Sequence, residues 1–75
     1  MMTVELDTKG MNCPMPIVKA KKAIGGMSAG EEIRIESTDP GAVADFAAFC
    51  RTTGHELLDS SEADGIYVFV IRKAA

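Results

Sequence analysis

At 75 residues, 47% of them hydrophobic, the chain has apolar material for one small domain with a single core, and too little bulk for a deep substrate cleft. A formal net charge of −3 and four aromatic residues, Phe46, Phe49, Tyr67 and Phe69, are a poor endowment for direct nucleic-acid binding, which draws on a basic face or a stacking platform. Two cysteines and one histidine form no Cys-x-x-Cys pair and supply too few ligands for a structural zinc site, so no metal is expected.

Residues 1–9 show no basic apolar leader, and no apolar run approaches ~20 residues. A cytoplasmic protein without membrane contact is expected. Within this stretch Val4 and Leu6 alternate with Glu5 and Asp7, the period-2 pattern of a strand with one wet face. Gly10-Met11-Asn12 then reads as a loop.

The first helix is predicted over residues 14–24, ending at Gly25-Gly26. Cys13-Pro14-Met15-Pro16 stands at its start, with a thiol where Ser, Thr, Asp or Asn usually caps. Asp39-Pro40, ahead of the second helix, follows the ordinary grammar of an acidic cap and a proline. A Cys in that place gives up a stabilising oxygen. It gains a helix terminus whose unpaired N–H groups and dipole favour an anion, and hence the thiolate. Pro14 and Pro16 remove two N–H groups of the first turn, which leaves the Met15 amide, and after it that of Ile17, as the expected donors to the sulfur. The prolines also hold Cys13 extended and push Met15 off ideal helical angles, so the first turn should be stiff and slightly irregular. This pattern leaves two readings of Cys13 open: a nucleophile for covalent sulfur chemistry, or a small buried residue without reactivity, the commoner fate of a free Cys. Along the helix Ile17, Ala20, Ala23 and Ile24 share one face, and Lys19 and Lys22 occupy the other, beside Met15 and Val18.

Residues 32–36 alternate again, with Ile33 and Ile35 directed inward. The second helix, residues 41–53, groups Val43, Phe46, Phe49 and Cys50 on its apolar side and Asp45, Ala48 and Thr52 opposite, so Cys50 reads as core. Residues 55–59 and 66–72 form a hairpin around Ala63-Asp64-Gly65. The last run is apolar on both faces and suits an interior strand. The order is βαβαββ, an α+β protein: a two-layer α/β sandwich in which a four-stranded mixed sheet, ordered 1-2-4-3, carries two helices on one face. A single domain spans residues 1–75. Cys13 falls just beyond the carboxyl end of the first strand, where open α/β sheets gather functional groups. Cys50 lies roughly 13 Å away along the second helix at ~1.5 Å per residue, too far for a disulfide.

Asp7, Gly10, Cys13-Pro14-x-Pro16, Asp39-Pro40, Phe49-Cys50, His55-Glu56-Leu57 and Ile71-Arg72-Lys73 together resemble the TusA/SirA-like family of small sulfur-carrier proteins, over almost the full length of the chain. The resemblance implies a sulfurtransferase that accepts sulfane sulfur as a persulfide on Cys13 and relays it to a thiol of an acceptor protein. It implies no cofactor beyond that covalent sulfur, and Gly10, Pro14, Met15 and Pro16 as supporting residues, with Met15 at the family's variable position. The implied partners are a cysteine desulfurase or rhodanese as donor and an acceptor sulfur-relay protein with a reactive Cys. Family members serve tRNA 2-thiouridine synthesis, molybdenum-cofactor metabolism or oxidative sulfur metabolism, and the residues of this chain do not choose among them. Such a carrier needs a docking surface. Met15, Val18, Lys19 and Lys22 are the candidates, set against the plain alternative of a solvated helix face.

Pro16 stands where the second Cys of a Cys-x-x-Cys oxidoreductase would be. His55, at the start of the third strand, is placed near the edge opposite Cys13, too remote for a hydrolase base, and a structural hydrogen bond or docking role suits it better. The alternative of a different class is a non-enzymatic regulatory or adaptor module that binds a partner through the same surface.

Overall fold

The period-2 runs become strands and the 3.6-period runs helices in a computed structural model, which describes residues 3–12 and 14–74. The elements follow in the order β1 (Thr3–Asp7), α1 (Met15–Gly25), β2 (Glu32–Ser37), α2 (Ala42–Thr53), β3 (Glu56–Ala63) and β4 (Ile66–Arg72). The sheet is ordered β1-β2-β4-β3. β1 runs parallel to β2, with Leu6 opposite Ile35, and β4 runs antiparallel to both neighbours, with Phe69 opposite Ile35 and Ser60. This is the predicted two-layer βαβαββ arrangement, with the doubly apolar β4 inside.

One core lies between the layers. Ile33, Ile35, Phe69 and Ile71 from the sheet are fully buried against Ala20 and Ile24 of α1 and Ala42, Phe46 and Cys50 of α2. Phe46 and Phe69 stack with ring centroids 4.7 Å apart. Burying each such ring contributes roughly 1.5–3 kcal/mol, so α2 is held mainly by its aromatic stripe. The hairpin closes through Asp64 and Gly65, both at positive φ, 54° and 80°, the handedness a two-residue turn needs to match strand twist.

Three expectations change. Val43 is 41% exposed, because the buried stripe of α2 runs through Ala42, Phe46 and Cys50 and leaves Val43 on its flank. β3 extends to Ala63, well past residue 59: Ser60, Ser61 and Glu62 look unlike a strand, yet they pair with Phe69, Val68 and Tyr67 of the apolar β4. α1 lies one residue later at each end than predicted, and α2 begins one residue later, a shift within the ordinary fraying of helix ends. His55 accepts a hydrogen bond at Nδ1 from the Ala74 N–H, 2.9 Å away, and its ring lies 5.8 Å from that of Phe49. It precedes Glu56, which pairs with Arg72, at the end of the sheet remote from the carboxyl end of β1.

Candidate functional site

The inward alternation of the two parallel strands does not stop with their apolar residues. Val4 and Leu6 lead to Thr8, and Ile33 and Ile35 lead to Ser37; both polar residues are fully buried. The Thr8 hydroxyl donates to the Glu36 carbonyl at 2.5 Å, and its N–H reaches the same oxygen at 2.8 Å. Met11 N–H then returns to the Thr8 carbonyl, and Gly10 N–H donates to Thr38 Oγ1 at 2.9 Å. Gly10 has φ +83°, a left-handed conformation that glycine adopts without steric cost.

Charges surround this loop. Lys9 Nζ lies 2.9 Å from Glu36 Oε1 and 3.2 Å from Asp7 Oδ1, while Arg34 holds the other Glu36 oxygen at 3.1 Å. Hydrogen bonds from Lys9, and then Arg34, lower the Glu36 carboxyl's pKa. The Lys9 backbone amide, followed by its ammonium, lowers that of Asp7, and Lys9 is raised in turn, chiefly by Glu36. Because these groups face water, the network serves the shape of the loop more than the stability of the fold.

At the helix start, Val18 N–H donates to the Pro14 carbonyl at 3.0 Å, which makes Pro14 the N-cap residue. The cap expected at Cys13 therefore falls one residue later. Met15 N–H, expected to serve the sulfur, donates instead to the Asn12 carbonyl at 2.9 Å. The reason is a tight turn that precedes the α-helix, with Pro14 at φ −96° and ψ 13°. The second helix begins the same way: Ala42 N–H meets the Asp39 carbonyl at 3.0 Å and Asp45 N–H meets Gly41 at 3.2 Å. Asn12 thus matches Asp39 in the chain, and position 13 matches Pro40. Cys13 itself lies outside the described residues.

Met15 is helical although Pro16 follows it, because the first turn of a helix accommodates proline. Pro16 is fully buried, so it anchors the turn in the core as well as stiffening it. The first turn of α1 contains no acidic residue and no side-chain cap.

The remaining candidates gather on one exposed face of α1. Met15 and Val18 are 43% and 51% exposed, and Lys19 and Lys22 lie open beside them. Neither lysine enters an ion pair among the described residues. On the other flank, a groove of about 410 Å³ runs between the helices, lined by Pro14, Ile17 and Lys21 of the first and by Asp45, Ala48 and Phe49 of the second. Asp45 and Ala48, expected on the solvent side, turn toward α1, because the relative placement of two helices cannot be read from either helix alone. Cys50 is 6% exposed, and burial pushes its thiol pKa up. Among the described residues no metal-binding cluster of His, Cys, Asp or Glu is present, and no helix is long and apolar enough to cross a membrane.

Sequence reading missed Thr8, Ser37, Thr38 and Lys21. For Thr8 and Ser37 the signal was available, since each continues an inward alternation by one step.

Comparison with known proteins places this geometry. The family model described as Sulfurtransferase TusA matches residues 4–73. The chain is 49% identical to the sulfur carrier protein TusA of Allochromatium vinosum over 70 residues, covering 93% of this chain and 92% of that one. It is 40% identical to the sulfur carrier protein TusA of Pseudomonas entomophila over 70 residues, 93% of this chain and 88% of its relative. The crystal structure of a SirA-like protein from Desulfitobacterium hafniense shares the fold, with a TM-score of 0.84 over 99% of this chain and 100% of that chain, at 22% identity. With the family model matching nearly the whole chain and these relatives covered over most of their length, the chain belongs to the TusA family of sulfurtransferases.

Proposed function

We propose that Cys13 carries sulfane sulfur as a persulfide and relays it between proteins. The observation that supports this reading most directly concerns the other cysteine. A sulfur carrier must present its sulfur to a donor and then to an acceptor, and Cys50, one of two cysteines in the chain, is buried in the core with its thiol pKa pushed up by burial. A thiolate is the reactive form, so Cys50 is unsuited on both access and ionisation. Cys13 remains, ahead of a helix whose first turn has no acidic side chain to oppose a thiolate.

The chemistry balances without a cofactor. The Cys13 thiolate attacks the outer sulfur of a donor persulfide, R–S–SH. A new S–S bond forms to Cys13, the old one breaks, and its electron pair leaves with the donor sulfur as R–S⁻, the proton staying on the transferred sulfur. Unloading is the same exchange with an acceptor thiolate in the attacking role. No resolving thiol is required. A cysteine desulfurase or rhodanese suits the donor, and a relay protein with a reactive Cys suits the acceptor, leading to tRNA 2-thiouridine synthesis or another sulfur-trafficking pathway according to that acceptor. Met15, Val18, Lys19 and Lys22 are the docking face, combining apolar contact with unpaired positive charge.

Incubation with a cysteine desulfurase and cysteine, followed by intact-mass measurement, tests the reading. One reductant-labile sulfur is expected on the wild type and on Cys50→Ala, and none on Cys13→Ser. Equal loading of both cysteines, or loading of Cys50 alone, contradicts it. A chain that binds the desulfurase and never gains sulfur would instead be an adaptor.

A further inference from the structure

We propose that Thr38 is a positioning residue for sulfur transfer, its hydroxyl oxygen holding the Gly10 N–H so that the chain enters Cys13 from a fixed direction; this rests on the reading of Cys13 as the carrier. Between β1 and α1 the chain is tied at a few points. Thr8 is fixed to the Glu36 carbonyl by both its N–H and its hydroxyl, and Lys9 to the Glu36 carboxylate. Among the described residues, Gly10 N–H to Thr38 Oγ1, at 2.9 Å, is the last tie to the β2 side. After it come the Met11 N–H, which returns to the Thr8 carbonyl within the loop, and the Asn12 carbonyl, which receives the Met15 N–H. Position 13 stands three residues after Gly10 in the chain, between Asn12 and Met15, so the direction fixed at Gly10 carries forward to the sulfur-bearing residue.

Gly10 makes this tie consequential. Its φ of +83° is a conformation glycine holds loosely, since other basins cost it little. One side-chain acceptor selects among them. Thr38 is well placed for the task, because its neighbours on both sides are themselves fixed: Ser37 is fully buried, and its Oγ accepts the Asp39 N–H at 3.1 Å. The Asp39 carboxylate in turn accepts the Gly41 N–H. Thr38 therefore links the leader of α1 to the rigid leader of α2 through one hydroxyl. The bond faces water, so its loss is expected to cost a modest factor rather than the fold.

Orientation matters when the sulfur is presented by another protein, and matters little when a small reagent approaches from any side. Three proteins are compared: wild type, Thr38→Val, which keeps the branched shape and loses the acceptor, and Thr38→Ser, which keeps the oxygen. Each is loaded by a cysteine desulfurase with cysteine, and separately by sodium polysulfide, with sulfur on Cys13 followed by mass spectrometry. Thr38→Val should slow desulfurase loading roughly two- to tenfold, the range one net hydrogen bond commands, and leave polysulfide loading at the wild-type rate. Its Gly10 amide should also exchange hydrogen faster. Thr38→Ser should match the wild type in all three. Thr38→Val loading from the desulfurase at the wild-type rate would overturn the role of Thr38 alone. So would an equal loss with both donors, or a Thr38→Ser protein as slow as Thr38→Val. A wild type that takes no sulfur on Cys13 from either donor would overturn the carrier reading, and this proposal with it.

Discussion

The two helices leave the same edge of the same sheet, each after a strand of the parallel pair and each through a turn with a proline, yet their starts differ. The start of α2 is closed by its own residues. Asp39 Oδ1 accepts the Gly41 N–H at 3.0 Å, Ser37 Oγ accepts the Asp39 N–H, and Asp45 adds a carboxylate in the first turn. Neither helix has a side-chain cap, but α1 has no acid in its first turn and two prolines in place of N–H donors. The first turn of α1 lacks the carboxylate that Asp45 brings to α2, so its positive end keeps a preference for an anion. The topology thus offers two equivalent positions, and on the proposed reading of Cys13 the chain uses one for stability and keeps the other for cargo.

The largest departure expected between the two ends is kinetic. Replacing Lys19 and Lys22 together by Glu should slow sulfur transfer from a protein donor on the order of tenfold at low salt, because charge steering raises encounter rates and is screened by ions. Alkylation of Cys13 by a neutral reagent should change far less, and the gap should close as salt is added. Transfer that is indifferent to the reversal at low salt would reduce these lysines to solvated surface.

Next in size is the structural end. Asp39→Ala removes the acceptor for the Gly41 N–H and should cost about 1 kcal/mol of folding stability, the net worth of one hydrogen bond. Chemical denaturation measures it, and sulfur loading of Cys13 at neutral pH should stay at the wild-type level. A loading defect as large as the stability loss would mean that the two helix starts do not divide their roles.

Smaller still is the signature of the buried thiol. Burial raises the Cys50 pKa above that of an ordinary thiol, so the folded state keeps a proton that the unfolded chain releases. The stability linked to this group is fully present below the unfolded pKa and is lost as pH rises through the folded one. The stability of the wild type relative to Cys50→Ala should therefore fall as pH rises above about 9, whatever their offset at neutral pH. Parallel curves across that range would show that Cys50 ionises as easily folded as unfolded.

Much of this fold was legible because burial enforces period. Ile33 and Ile35 could face only one way, and a final strand apolar on both sides could only be interior. β3 was read short because Ser60, Ser61 and Glu62 belong to an exposed edge strand, whose pairing is supplied by β4 rather than by its own composition. The helix starts were read with an offset of one residue, since a proline announces a turn without saying whether the turn opens the helix or precedes it. Asn12 and Met15 settle that through one backbone bond, which leaves no trace in residue type. The lock at Thr8 and Ser37 was readable and went unread, because a polar residue at an inward position looks like the end of a strand. Thr38 and Lys21 depend on contacts between elements, and no pattern within one element carries them.

The division of roles between the helix starts is tested most directly by the pH profile of Cys13 alkylation, measured in the Cys50→Ala protein so that one thiol reports, once folded and once in denaturant. An apparent pKa below the ~8.5 of an unperturbed thiol is expected in the folded protein, and a value near it in the unfolded chain. The linked stability would then be present above the unfolded pKa and lost as pH falls through the folded one. A folded Cys13 that titrates at or above its unfolded value would contradict the open helix end as the source of its reactivity.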